Sequence, residues 1–208
     1  MRFTPPSSLL SPDVYRLIDS SRRLREALAP DGLFASPYEV LDYDGLLLLQ
    51  DHKGRKATFK RRQRVRFLQN GVRSVMEHLW GDGLLIEYHN DAGQIADSIR
   101  DGKYRHLVID LKDPATMGSV LEFNTSRTNL GMFTGEEESW EITVDHPVQR
   151  IRQVVAFPAE RPCLEARVEV AGFVRQLEVT QRRRGRTIVS YEIPYPIMNM
   201  PYAIRWRW

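Results

Sequence analysis

Cysteine is nearly absent from this 208-residue chain: Cys163 stands alone. One thiol cannot close an intramolecular disulfide or build a Cys-based zinc site. It suits a reducing compartment. Its neighbours Pro162 and Leu164 offer no group that would activate it as a nucleophile, and a packing role is the plainer reading. Long apolar runs are missing too. A run such as Leu46–Leu49 is far too short to span a bilayer. The N-terminus, Met1-Arg2-Phe3-Thr4-Pro5-Pro6, lacks the apolar core of a secretion signal. The expectation is a soluble, cytoplasmic protein with no membrane partner. A strong charge imbalance is also lacking: the formal net charge is +3, too small to imply nucleic-acid binding by itself.

The motifs of common enzymes are missing as well. There is no phosphate-binding loop, nucleophile elbow, zincin helix or kinase signature. The five histidines, His52, His78, His89, His106 and His146, are scattered along the chain with none at metal-ligand spacing from another. No cofactor is expected, and the chain reads as non-catalytic.

Aromatic and apolar residues are well represented. Hydrophobic residues make up 42% and aromatics 10% of the chain, enough for a real core. Ser11-Pro12-Asp13 reads as a helix start, with an N-cap, a proline at the first helical position and an early acid. Val14, Leu17, Ile18, Leu24 and Leu28 follow near helical spacing. Beyond Pro30-Asp31-Gly32 the period becomes two, and strand patterns separated by turn residues run to the C-terminus. Tyr38–Tyr43 and Leu46–Gln50 precede the turn Asp51-His52-Lys53-Gly54 and a long return strand, Arg55–Leu68. Val72–Trp80 fits a short helix or a strand. Leu84–Tyr88, Tyr104–Leu111 and Val120–Arg127 read as strands.

The predicted class is therefore mainly β: one or two packed antiparallel β-sandwich or barrel units with an N-terminal α-helix. The expected organisation is an arm and helix over residues 1–36, a first β unit over 37–134 and a second over 135–208. The seam falls near Gly131–Glu138.

Three patterns could carry function. In strand geometry Lys60, Arg62, Arg64 and Arg66 line one face. The other face carries Phe59, Val65 and Phe67, interrupted by Arg61 and Gln63. Cations two residues apart are spaced roughly 6.6–7 Å, close to the phosphate spacing of a nucleic-acid strand. Arg182, Arg183, Arg184 and Arg186 form a second basic feature around Gly185. It reads as a hairpin tip able to hold phosphate or carboxylate. Both features also fit the charged surfaces by which strands stay soluble. Third, Glu87, His89 and Asp91 fall on one face of a strand and could ligate a metal. A polar strand end facing water explains them as well, and no metal is assigned. At the C-terminus Tyr202, Ile204, Trp206 and Trp208 alternate with polar or small residues. That pattern suits a strand closing a core.

The segment Val154-Val155-Ala156-Phe157-Pro158, then Arg161-Pro162, a hairpin and Pro201-Tyr202-x-Ile204-x-Trp206-x-Trp208 resembles β-sandwich modules attached to bacterial signalling and defence proteins. The resemblance covers about residues 140–208. Tyr38–Gly83 also resembles bacterial regulatory proteins of unassigned function. The resemblance implies a bacterial source and a sensor, adaptor or regulatory role, and no catalytic residue carries over. The leading expectation is a module that binds a protein partner. The alternatives are a nucleic-acid-binding regulator acting through the basic features, or a metal-dependent enzyme around Glu87, His89 and Asp91. Oligomeric state is not encoded in any pattern seen here.

Overall fold

The computed structural model describes residues 36–208 except Asp82, Gly102, Lys103 and Asp145. The N-terminal helix expected within residues 1–36 lies outside the described residues. What is described is mainly β.

Among the described residues fourteen strands follow one another: β1 (Tyr38–Leu49), β2 (Lys56–Phe67), β3 (Val72–Leu79), β4 (Leu84–Asn90), β5 (Gly93–Asp101), β6 (Tyr104–Ala115), β7 (Val120–Leu130), β8 (Glu137–Thr143), β9 (Arg150–Phe157), β10 (Glu165–Val170), β11 (Phe173–Leu177), β12 (Val179–Gln181), β13 (Thr187–Pro194) and β14 (Pro201–Arg207). They form three sheets. The largest runs β12-β13-β9-β1-β2-β7-β4, a second runs β11-β10-β14-β8, and a third runs β3-β6-β5.

The large sheet draws strands from both sides of the seam expected at Gly131–Glu138. Its middle pair, β1 and β9, is parallel, with Tyr43 beside Ile151 and Leu48 beside Ala156. Antiparallel pairing throughout was the expectation. The parallel pair arises because about a hundred residues of intervening chain return β9 in the direction of β1, a connection no hairpin can make.

Other differences have local causes. Val72–Trp80, open between helix and strand, is strand β3 over Val72–Leu79, paired to β6 with His78 opposite His106. Tyr38–Tyr43 and Leu46–Gln50 merge into the single strand β1, whose irregularity lies between Val40 and Asp42. Strand β5 carries little apolar alternation and Ile95 and Ile99 on it are exposed, so it left no signal to read. Strand β6 continues through Asp113 and Pro114, which look like a connection because proline removes a ladder donor.

The core follows the period-two pattern. Leu47 and Leu49 on β1, Val65 and Phe67 on β2, Val155 and Phe157 on β9, and Val189, Tyr191 and Ile193 on β13 are buried. Tyr202, Ile204, Trp206 and Trp208 are buried in the same core. Trp206 meets the Phe157 ring edge-on at 5.7 Å, and Trp208 does so at 5.9 Å. The Trp208 indole N–H donates to the Gly135 carbonyl at 2.9 Å. The C-terminal aromatics therefore close the core, each contributing on the order of 2–3 kcal/mol by burial. Among the described residues no helix is long and apolar enough to cross a membrane.

Candidate functional site

The outward face of β2 carries Lys60, Arg62, Arg64 and Arg66, as its alternation predicts. Lys60, Arg62 and Arg66 are exposed, and Arg64 is partly so. The sequence pattern alone did not reveal their partners. The β1–β2 register sets Asp44 opposite Arg62, Asp42 opposite Arg64 and Glu39 opposite Arg66. Each facing pair is an ion pair at 2.9 Å. Glu122 of β7 approaches Arg62 at 3.8 Å and Arg64 at 3.9 Å. Arg150 of β9 adds contacts to Asp42 at 2.9 Å and Asp44 at 3.0 Å, and to Glu192 at 3.5 Å. The hydrogen bond and charge of Asp44 hold the Arg62 guanidinium above its ordinary value. Arg150 is also raised: burial opposes its charge, and Asp42 and Asp44 outweigh that. The row is thus a charge ladder laid across β9, β1, β2 and β7, with carboxylates close to balancing its cations. Pairs this exposed contribute little stability each, about 0–1 kcal/mol. They do lower the local positive potential that a phosphate backbone needs. The alternate acids Asp42 and Asp44, facing the same way on β1, were the available signal.

The arginine tip lies where predicted, in the connection between β12 and β13. It folds as a short 3-10 turn over Arg183–Gly185, with Arg184 in the left-handed region at φ 64°. The Arg182 N–H donates to the Arg186 carbonyl at 2.7 Å. Arg182, Arg184 and Arg186 are exposed. β9 and β1 separate β13 from β2, so tip and row are distinct basic features.

Glu87 and His89 are exposed on β4. Asp91 accepts from the Asn124 backbone N–H at 2.6 Å and its side-chain amide at 2.9 Å, so its carboxylate is committed to bracing the turn after β4. Among the described residues, no three His, Cys, Asp or Glu side chains converge as metal ligands would. Two histidines distant in sequence do meet: the Nδ1 atoms of His78 and His106 lie 2.6 Å apart. That contact requires one ring to donate and the other to accept. Cys163 is buried, and its thiol donates to the Glu165 carbonyl at 3.3 Å. Burial pushes the thiol up to about 12, which leaves almost no thiolate near neutrality.

The most unusual chemistry lies on the inward face of the large sheet. Arg61, one of the two residues that interrupt the apolar side of β2, points into the molecule together with Arg127 of β7. The three-stranded sheet places Glu77 of β3 over them. Glu77 is 6% exposed and Arg127 is also 6% exposed. The Glu77 carboxylate pairs with the Arg61 guanidinium at 3.3 Å. It accepts the Tyr88 hydroxyl at 2.5 Å and the Thr125 hydroxyl at 3.4 Å. Burial works against the Arg61 charge, but Glu77 outweighs it and leaves the guanidinium above its ordinary value. Burial raises the Tyr43 and Tyr88 hydroxyls, for Tyr88 with help from the Glu77 charge, so both stay neutral.

Arg127 is treated differently. Its guanidinium lies 4.5 Å from the Phe59 ring centroid and 5.2 Å from that of Trp80. Burial lowers it to about 10, still well above neutrality, so it remains a cation. Among the described residues the carboxylate acting on it is Glu77, which is already engaged by three donors. These groups border a small cleft open to solvent, whose walls include Tyr43, Phe59, Trp80 and Trp140. Gly45 makes room for that wall: a Cβ there would come within 2.7 Å of the Trp140 ring. The patterning of β2 hinted at Arg61. Arg127 and Glu77 gave no local signal, since each sits in a strand whose inward face reveals itself only once the sheets are stacked.

No family model matches the chain, and no curated protein matches it. Solved structures do. The fold is shared with part of the M1 zinc metallopeptidases. A putative protease from Parabacteroides distasonis is 8% identical with a TM-score of 0.53, and the match covers 84% of this chain and 41% of that one. A two-domain M1 zinc metallopeptidase mutant bound to L-tryptophan is 12% identical with a TM-score of 0.51, covering 83% of this chain and 43% of that one. A mutant M1 zinc metallopeptidase from Deinococcus radiodurans, bound to a Tyr-Ser-Ala substrate, is 11% identical with a TM-score of 0.50, covering 81% and 42%. This chain therefore spans about two-fifths of the length of the peptidase chains it resembles. At such identity the likeness concerns fold alone. The sequence carries no His-Glu-x-x-His motif, the helical pattern by which such enzymes hold zinc.

Proposed function

We propose that this chain is a non-catalytic recognition module, a sensor or adaptor of a bacterial regulatory or defence system, that binds a protein partner. In this reading the packed sheets act as a sandwich-like scaffold whose margins are the contact surface. One observation carries it: β4, the last strand of the seven-stranded sheet, pairs only with β7 among the described strands and exposes Leu84 (66%) and Ile86 (44%). An open strand edge offers unpaired backbone donors and acceptors to an incoming strand. Large exposed apolar side chains beside that edge supply the area such a partner buries. The peptidase likeness concerns the fold of a minority part of those enzymes and is compatible with this reading.

A nucleic-acid-binding regulator is the second reading, and the exposed Arg182, Arg184 and Arg186 tip is what favours it. The row Lys60, Arg62, Arg64 and Arg66 contributes less, because Glu39, Asp42 and Asp44 pair with its three arginines.

Affinity purification from the native host, with and without nuclease, separates the two. The chain is compared with a Leu84→Glu/Ile86→Lys variant of matched thermal stability. A defined protein that survives nuclease and is lost with the variant is the expected result. A partner retained equally by both proteins, or a signal abolished by nuclease, refutes the β4 assignment. The nuclease-sensitive outcome shifts the reading to the arginine tip.

A further inference from the structure

We propose that the cleft between the large sheet and the three-stranded sheet is a binding site for a carboxylate with a small apolar or aromatic body, received by the guanidinium of Arg127. Strand β4 contributes Tyr88 beside this site, but the site uses neither Leu84 nor Ile86, the exposed residues of the proposed docking edge.

Several donors around this cleft have no acceptor. Arg127 has five N–H donors, yet among the described residues it makes no side-chain hydrogen bond and no carboxylate pair; its contacts are the Phe59 and Trp80 rings. The Nε of Arg61 and the indole Nε1 of Trp140, on residues that line the same cleft, are fully buried without an acceptor. Buried polar groups are ordinarily paired, so two orphan donors beside a guanidinium that has no acceptor point to a missing acceptor in this cleft.

Charge narrows the class. Arg61 and Glu77 neutralise each other at 3.3 Å, which leaves Arg127 as one uncompensated buried cation. A monoanion balances it. A phosphate dianion would bring a second charge toward the Glu77 carboxylate, and the other cation on the lining, Lys60, is exposed to water and offsets it weakly. The planar fork of a guanidinium matches the two oxygens of a carboxylate. The walls choose the rest of the ligand: Tyr43, Phe59, Trp80 and Trp140 present ring surface to an apolar body, as ligand sites with a few polar groups commonly do.

The carboxylate could belong to a free small acid or to the C-terminus of a chain, and the experiment distinguishes these. The purified full chain is titrated with benzoate, its neutral isostere benzamide, inorganic phosphate, and a phenylalanine-ending dipeptide with a free or amidated C-terminus. Intrinsic tryptophan fluorescence reports directly, because Trp80 and Trp140 line the cleft. Saturable change with benzoate or the free dipeptide, and none with benzamide, the amide or phosphate, is expected; the tighter of the two acids identifies the source. Arg127→Met should weaken that binding at least about tenfold, the loss of a charge-assisted pair. Arg127→Lys should weaken it less, and serves in its place should the methionine variant fold poorly. The Leu84→Glu/Ile86→Lys variant should bind the acids normally, so failure of the β4 reading leaves this one intact. No saturable response to either acid, an equal response to benzamide or phosphate, or undiminished binding in both Arg127 variants overturns the proposal.

Discussion

Replacing Glu77 with glutamine tests the energetics of the buried cluster with the least change in shape. Gln keeps one oxygen for the Tyr88 hydroxyl and nearly the same volume, and the Thr125 hydroxyl, on the other oxygen at 3.4 Å, can turn to accept from the amide. What disappears is the single negative charge facing two buried guanidinium groups. The side chains of Arg61 and Glu77 are only 16% and 7% exposed, so water can replace little of the lost pairing. Removing one member of a buried ion pair typically costs about 3–5 kcal/mol, because the remaining charge is left uncompensated. For a chain near this size that lowers Tm by roughly 6–20 °C. Urea denaturation followed by tryptophan fluorescence measures the loss, and an unchanged m-value shows that the comparison is sound. A second variant sharpens the logic. Arg127→Met in the native background leaves the Arg61–Glu77 pair neutral and should change stability little. In the Glu77→Gln background the same substitution removes one of two repelling cations and should recover more than about 1 kcal/mol, a coupling well beyond that of independent sites. A Glu77→Gln loss below about 1 kcal/mol, or an Arg127→Met effect identical in both backgrounds, would show that cleft water screens these charges as at a surface. The buried-cluster reasoning would then fail.

Two further predictions concern the β1–β2 turn. Gly54 has φ +65°, and a Cβ there would lie 1.5 Å from the Phe133 carbonyl oxygen. Gly54→Ala should therefore destabilise by clearly more than the ~1 kcal/mol of a left-handed alanine, seen as a lowered Tm; a neutral substitution would mean the backbone there yields. Asp51 accepts the backbone N–H groups of Lys53 at 2.8 Å, Arg55 at 3.2 Å and Lys56 at 2.7 Å. Slight burial pushes its carboxyl up, and these three donors outweigh it and hold it below the ordinary value. Its contribution is thus complete above the unfolded value near ~3.9 and is lost as pH falls through the lower folded value. The stability gap between the wild type and Asp51→Asn should be constant near neutrality and close in acid, which paired melts across pH 2–6 would check.

Legibility in the sequence followed the range of the interaction. Period-two alternation is local, and it correctly marked β2, its two faces, the buried C-terminal aromatics and the arginine hairpin tip. It also flagged Arg61 as an intruder on an apolar face, the one trace of the cleft visible in one dimension. Strand β5 escaped because an edge strand with exposed Ile95 and Ile99 needs no apolar alternation. The parallel β1–β9 pair, Asp42 and Asp44 as partners of Arg62 and Arg64, and His78 against His106 depend on register between separate strands. The cleft depends on more still: Arg61, Arg127 and Glu77 come from β2, β7 and β3, in two sheets.

The sequence by itself determined that the chain is mainly β, which face of each strong strand turns inward, and that the familiar enzyme motifs are missing. Each of these follows from side-chain chemistry read over a few residues. Tertiary structure decided which charges are spent and which are left over. Coulombic pairing acts through space: the sheet register converts the exposed arginine row of β2 into a nearly balanced ladder, while sheet stacking buries Arg127 beside a carboxylate already engaged by others.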